Sequence, residues 1–252
     1  MNSLHYPGYV GERELRVYRP TANGTGVIVL FHGGGFLAGG LDAAAPVAAE
    51  MADRLRLAVV TPAYTLASEH PFPAAAEDAY AALTWVSTHS RHERWDSRQM
   101  VVAGYEAGGN LAAVAAMMVR DRGGPALLAQ VLMAPMLDPS LSARSMHCTS
   151  GIERGAAYRA YLPNAADRMH PYAAPAASSR LVGLPPTLIL SAVDDPLRDE
   201  AEIYGAKLIA AGVTTHVSRL PRIAADAQHL TDVALDAIDA FLAPRLLKKS
   251  PA

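Results

Sequence analysis

Short runs rich in apolar and β-branched residues alternate with longer Ala-rich segments along most of the chain. Positions 27–31, 57–62, 100–103, 127–133, 187–192 and 215–220 read as strands, several of them apolar on both faces and therefore buried. The intervening stretches 42–54, 74–89, 110–118, 200–211 and 227–242 read as helices, the second with Tyr80, Leu83 and Val86 on one stripe and the fourth closed by Gly212. Positions 12–18 alternate charged and apolar residues, the pattern of an edge strand or hairpin arm. The sequence Glu69-His70-Pro71-Phe72-Pro73 forces a rigid turn, because each proline fixes its own φ and biases its predecessor away from helix. Positions 138–172 have mixed composition, with a short helix expected near 156–161, and interrupt the rhythm. Strand–helix alternation predicts an α/β fold, with a mostly parallel sheet covered on both faces and ligands bound beyond the strand carboxyl ends.

One stretch has an unusual demand on its backbone. The apolar strand at 100–103 runs into Gly104-Tyr105-Glu106-Ala107-Gly108 and then directly into the helix at 110–118. Glycines two residues before and two after the apex relieve the crowding of so sharp a turn. The pattern is that of a nucleophile elbow, G-x-S-x-G, with Glu106 at the apex in place of serine. A second glycine cluster, His32-Gly33-Gly34-Gly35-Phe36, follows the strand at 27–31, where N–H groups can face a ligand with no Cβ in the way. Alone it reads equally as a flexible loop. Asp194-Asp195 follows a third strand, so three signals fall on one sheet edge.

Composition narrows the function classes. The 252 residues suit a single α/β domain over 1–252, with 51% hydrophobic residues and a net charge of −2. No Lys/Arg block stands out, so nucleic acid is not an expected partner. Cys148 is the single cysteine and has no internal disulfide partner. No apolar run reaches about 20 residues and none has signal-peptide form, so no membrane span and a cytoplasmic location are expected. No His/Cys/Asp/Glu grouping has metal-ligand spacing and no Gly-Lys-Ser/Thr follows the glycines, so neither metal nor cofactor is expected.

The stretches HGGGF at 32–36, YTLASEHPFPAA at 64–75, GYEAGGN at 104–110 and DPLRDE at 195–200 together resemble the hormone-sensitive-lipase-like branch of the α/β-hydrolases, a family of carboxylester hydrolases. The resemblance runs from the strand before HGGGF to the last helix. It implies an α/β-hydrolase fold with a Ser-His-Asp triad. Glu106 then stands at the nucleophile position, Asp195 at the acid position, and Gly34, Gly35 and Ala107 at the oxyanion-donor positions. The family's histidine falls on Ala225, within Pro-Arg-Ile-Ala-Ala-Asp-Ala at 221–227, and His229 is the nearby candidate substitute. The N-terminal lid helices of the family are expected to be missing, leaving a reduced lid at 138–172. Apolar surface so uncovered is a candidate homodimer contact.

Two function classes follow. In the first, the chain is a catalytically impaired relative that keeps an acyl or small-molecule pocket and an oxyanion hole, and binds a small apolar or carboxylate ligand. Glu106 would then fold toward the N–H groups of Gly34, Gly35 and Ala107 and satisfy them as a built-in anion. In the second, it is an active hydrolase of carboxylic esters or related substrates, using Glu106 as nucleophile or base with His229 and Asp195. Without a histidine partner, Asp195 is expected to cap the helix beginning near Asp199, and His32 to fix its own loop.

Overall fold

The computed structural model describes residues 2–21, 24–225 and 229–246. Eight strands form one sheet: β1 (Asn2–Gly8), β2 (Gly11–Tyr18), β3 (Val27–Phe31), β4 (Ala58–Pro62), β5 (Met100–Tyr105), β6 (Ala129–Met133), β7 (Thr187–Ala192) and β8 (Thr215–Leu220). Their spatial order is β1-β2-β4-β3-β5-β6-β7-β8. β1 and β2 form an antiparallel hairpin, and β2 joins β4 antiparallel. All pairings from β4 through β8 are parallel. β3, β4 and β6 are buried along their whole length and β5 up to the half-buried Tyr105, as their apolar runs require.

The helices are α1 (Leu41–Leu55), α2 (Ala74–Thr88), α3 (Ser90–Glu93), α4 (Ala107–Arg122), α5 (Thr149–Tyr161), α6 (Arg198–Ala210) and α7 (Asp232–Leu242). α1 and α7 pack together on one face of the sheet, while α2, α4 and α6 cover the other. α4 is buried on all sides from Ala107 to Val119, which explains its Gly, Ala and Met content: small side chains let it approach β5 and α2 closely. This is the α/β-hydrolase architecture.

Four departures from the sequence reading are informative. β1 carries no recognisable strand signal, since only Tyr6 of its residues is buried and Pro7 interrupts it. It exists because β2 offers it a hairpin partner, in the edge position where proline is tolerated. On α2 the buried face is Ala75, Ala79, Ala82, Leu83 and Val86, and it also buries Asp78, while Tyr80 lies on the flank. Asp78 is held there because its carboxylate accepts hydrogen bonds from the backbone N–H groups of Tyr9 (2.6 Å) and Thr65 (2.7 Å). The helix expected at 156–161 starts seven residues earlier, at Thr149. The helix expected from 227 starts at Asp232, where the Thr231 hydroxyl caps it by accepting from the Ala234 N–H at 3.2 Å. Leu230 is instead paired with Ala224 in a short bridge. Residues 227 and 228 lie outside the described residues.

β3 lies between β4 and β5, so the chain leaves β3 in one direction and returns to its other side. Phe31 at the end of β3 is in register with Gly104 near the end of β5. The HGGG loop and the elbow are therefore neighbours at the point where strand order reverses, the place such sheets open a crevice.

Candidate active site

Glu106 sits between β5 and α4 with φ 55° and ψ −112°, a strained conformation for a residue bearing a side chain. The surroundings leave it no alternative. Its N–H donates to the Met133 carbonyl at 2.9 Å, and its carbonyl accepts from Met136 at 3.0 Å and Asn110 at 3.2 Å. The flanking glycines are required by contact. A Cβ on Gly104 would lie 2.0 Å from the Gly108 carbonyl oxygen, and one on Gly108 would lie 2.1 Å from the Phe31 carbonyl oxygen. The elbow is thus pressed against the end of β3.

That pressure delivers the Glu106 side chain to the HGGG loop. Oε2 accepts a hydrogen bond from the Gly34 N–H at 2.7 Å. Gly34 presents this N–H from φ 113°, a conformation open to glycine alone. Gly33 contributes by lacking a side chain, since its Cβ would stand 2.9 Å from Oε2. Of the three N–H groups expected to receive the carboxylate, Gly34 is the one that reaches it. Those of Gly35 and Ala107 do not.

The other carboxylate oxygen, Oε1, forms an ion pair with Nη1 of Arg154 on α5. Sequence reasoning missed this arginine. The signal was present: Arg154, Ala157, Tyr158 and Tyr161 share helical spacing, and the last three are buried. A helix started at 156 leaves Arg154 outside the pattern, whereas one started at Thr149 places it on the inward face.

The other expected triad positions fall on Asp195 and on the loop after β8. Asp195, partly buried after β7, accepts a hydrogen bond from the Leu197 N–H at 2.8 Å and so closes the turn leading into α6. Burial raises its carboxyl above the ordinary range, opposed by the Leu197 N–H and by the Arg154 charge and reinforced by Glu106. Ala225 is exposed in the loop after β8, with its N–H donating to the His229 carbonyl at 2.9 Å. His229 lies before α7 rather than at its start, exposed to solvent at the rim of a cleft. His32 behaves as expected of a loop anchor. Its Nδ1 contacts the Gly33 carbonyl oxygen at 2.7 Å, its ring stacks on Tyr64, and burial keeps its pKa below the usual value.

The cleft, about 280 Å³, opens between the end of β3, the start of α1, the elbow and the loop after β8. Ala43, Val47, Met133 and Leu230 make its walls largely apolar, with Tyr105, Glu106, His32 and His229 as polar members. Burial and the nearby Asp195 and Glu106 carboxylates push the Tyr105 phenol up to about 12, so it stays protonated at neutral pH. Among the described residues, no three His, Cys, Asp or Glu side chains are grouped to hold a metal ion, and no helix is long and apolar enough to cross a membrane.

Residues 28–225 match the alpha/beta hydrolase fold family. The chain is similar to Carboxylesterase NlhH of Mycobacterium tuberculosis, 38% identical over 227 residues that cover 85% of this chain and 71% of that protein. It is also similar to Esterase LipI of the same organism, 40% identical over 198 residues covering 76% and 62% of the respective chains. Among solved structures, a hyperthermophilic esterase from the archaeon Pyrobaculum calidifontis superposes with a TM-score of 0.88 at 34% identity, over 97% of this chain and 84% of that one.

Proposed function

The chain belongs to the α/β-hydrolase fold family, on its hormone-sensitive-lipase-like esterase branch, and from that membership we propose that it is a catalytically impaired relative that uses the old substrate cleft to bind a small, mainly apolar ligand. The observation that carries this reading is the Glu106 carboxylate, held by the Gly34 N–H and paired with Arg154. An ester hydrolase needs a hydroxyl at the elbow and an open place for the developing oxyanion. Here the elbow carries a carboxylate, and that carboxylate takes up the one N–H that reaches it.

The chemistry of the residues supports the same reading. A carboxylate attacking an ester carbonyl gives a mixed anhydride, which lies uphill and reverts. Ala225 carries no imidazole to take or return a proton. Loss of the serine or histidine of a triad costs on the order of 10⁶ in turnover. Purified protein should therefore not hydrolyse p-nitrophenyl acetate or butyrate above the buffer rate. Restoring the missing groups in E106S/A225H should return measurable turnover. A second reading, with Glu106 acting as base or nucleophile, draws support from His229 lining the same cleft. Brisk turnover by the unaltered chain that vanishes in E106Q would favour that reading and overturn the first.

A further inference from the structure

The Glu106–Arg154 pair is unequal in its burial. Glu106 Oε1 is buried against Nη1 of Arg154, while Arg154 Nε is buried with no acceptor. The closest approach of the guanidinium to the carboxylate is that of Nη1 to Oε1. The Arg154 side chain is 32% exposed, so water competes for it, while the Glu106 side chain is 6% exposed. The acid is fixed and deep; its cation is peripheral and replaceable.

The charge balance points the same way. Two carboxyl groups, Glu106 and Asp195, share one guanidinium, and Arg154 and Glu106 act on Asp195 with opposite sign. His32 adds no positive charge, since burial keeps it neutral. His229 stands at the exposed rim. An anionic ligand entering the cleft would meet the Glu106 carboxylate already seated on the Gly34 N–H. A cationic one would meet the acid itself, an apolar wall at Val47 and Met133, and the Tyr105 ring.

We propose that the cleft takes a small primary amine with an aliphatic body, its ammonium group bonded to Glu106 in competition with Arg154. The inference rests on the reading that the cleft is a binding site, and it replaces a carboxylate with an ammonium as the ligand's head group. Arg154 then acts as a built-in competitor that leaves the carboxylate when the ligand arrives and releases α5 from the elbow.

The test is isothermal titration at pH 7 with three probes of matched length: n-butylammonium, 1-butanol and butyrate. Butylammonium should bind about tenfold or more tightly than butanol, the ratio expected of a charge-assisted hydrogen bond. Butyrate should not bind. E106Q, nearly isosteric, should bring the amine down to the level of the alcohol. R154Q, with the competitor gone, should tighten the amine several-fold. Equal or better binding of butyrate, an E106Q variant that binds the amine unchanged, or no binding of any probe would each overturn the inference. Ester turnover by the unaltered chain would instead overturn the underlying reading, so the two failures are distinguishable.

Discussion

Replacing Arg154 with methionine isolates the contact on which the site depends. Methionine keeps much of the aliphatic stem and removes only the guanidinium. Deleting one member of a fully buried ion pair costs about 3–5 kcal/mol, because the surviving charge is stranded. Two features reduce that figure here. Arg154 is one-third exposed, so its contribution is screened, and Glu106 keeps its 2.7 Å hydrogen bond from Gly34. The expected cost is about 2 kcal/mol, which for a domain of this size lowers Tm by about 4–8 °C. E106Q removes the opposite charge, but the freed guanidinium can turn to water, so it should cost about 1 kcal/mol or less. The double variant E106Q/R154M strands nothing, and should fall short of the summed single effects by about 1–2 kcal/mol. Urea unfolding of the four proteins at pH 7 measures all three differences. If R154M costs no more than E106Q, or if the two effects add within about 0.3 kcal/mol, the stranded-charge argument is wrong.

Two further substitutions test the frame around the site. In G108A the new Cβ would meet the Phe31 carbonyl oxygen at 2.1 Å, a backbone atom that cannot step aside; a loss of about 3 kcal/mol or more in urea unfolding is expected, and a neutral result would refute the close approach of elbow and β3. Glu200, buried at the start of α6, accepts from the Leu137 N–H at 2.7 Å and the Tyr158 hydroxyl at 3.1 Å, while its Oε2 has no partner and burial pushes its pKa up to about 8. A carboxyl that is neutral when folded and ionised when unfolded contributes stability that is full below its unfolded pKa of about 4.3 and is lost as pH rises to about 8. E200Q should flatten the decline in Tm between those limits, and an unchanged slope would show that Glu200 is not its source.

Much of this molecule is legible in local pattern. Continuous apolar runs locate β3, β5 and β7, because a strand buried on both faces has no polar position to alternate with. Gly104 and Gly108 of the elbow and Gly34 of the HGGG loop are legible too, because a backbone pressed to about 2 Å from a would-be Cβ tolerates nothing else. These short-range constraints mark Glu106 as the residue at the apex, whereas of the three donors expected for it, Gly34, Gly35 and Ala107, the tertiary structure brings Gly34 into reach.

What lay beyond sequence was whatever depends on distant segments meeting. β1 is a strand only because β2 pairs with it, and Asp78 can be buried only because the backbones of Tyr9 and Thr65 supply donors. Arg154 belongs to a segment of weak periodicity, 48 positions from Glu106, and its role follows from α5 lying over the elbow. A charge pair of that kind leaves no mark on either neighbourhood alone. Local backbone sterics determined where the acid sits; the packing of α5 over the HGGG loop, where Tyr161 stacks on Phe36, decided which cation it meets.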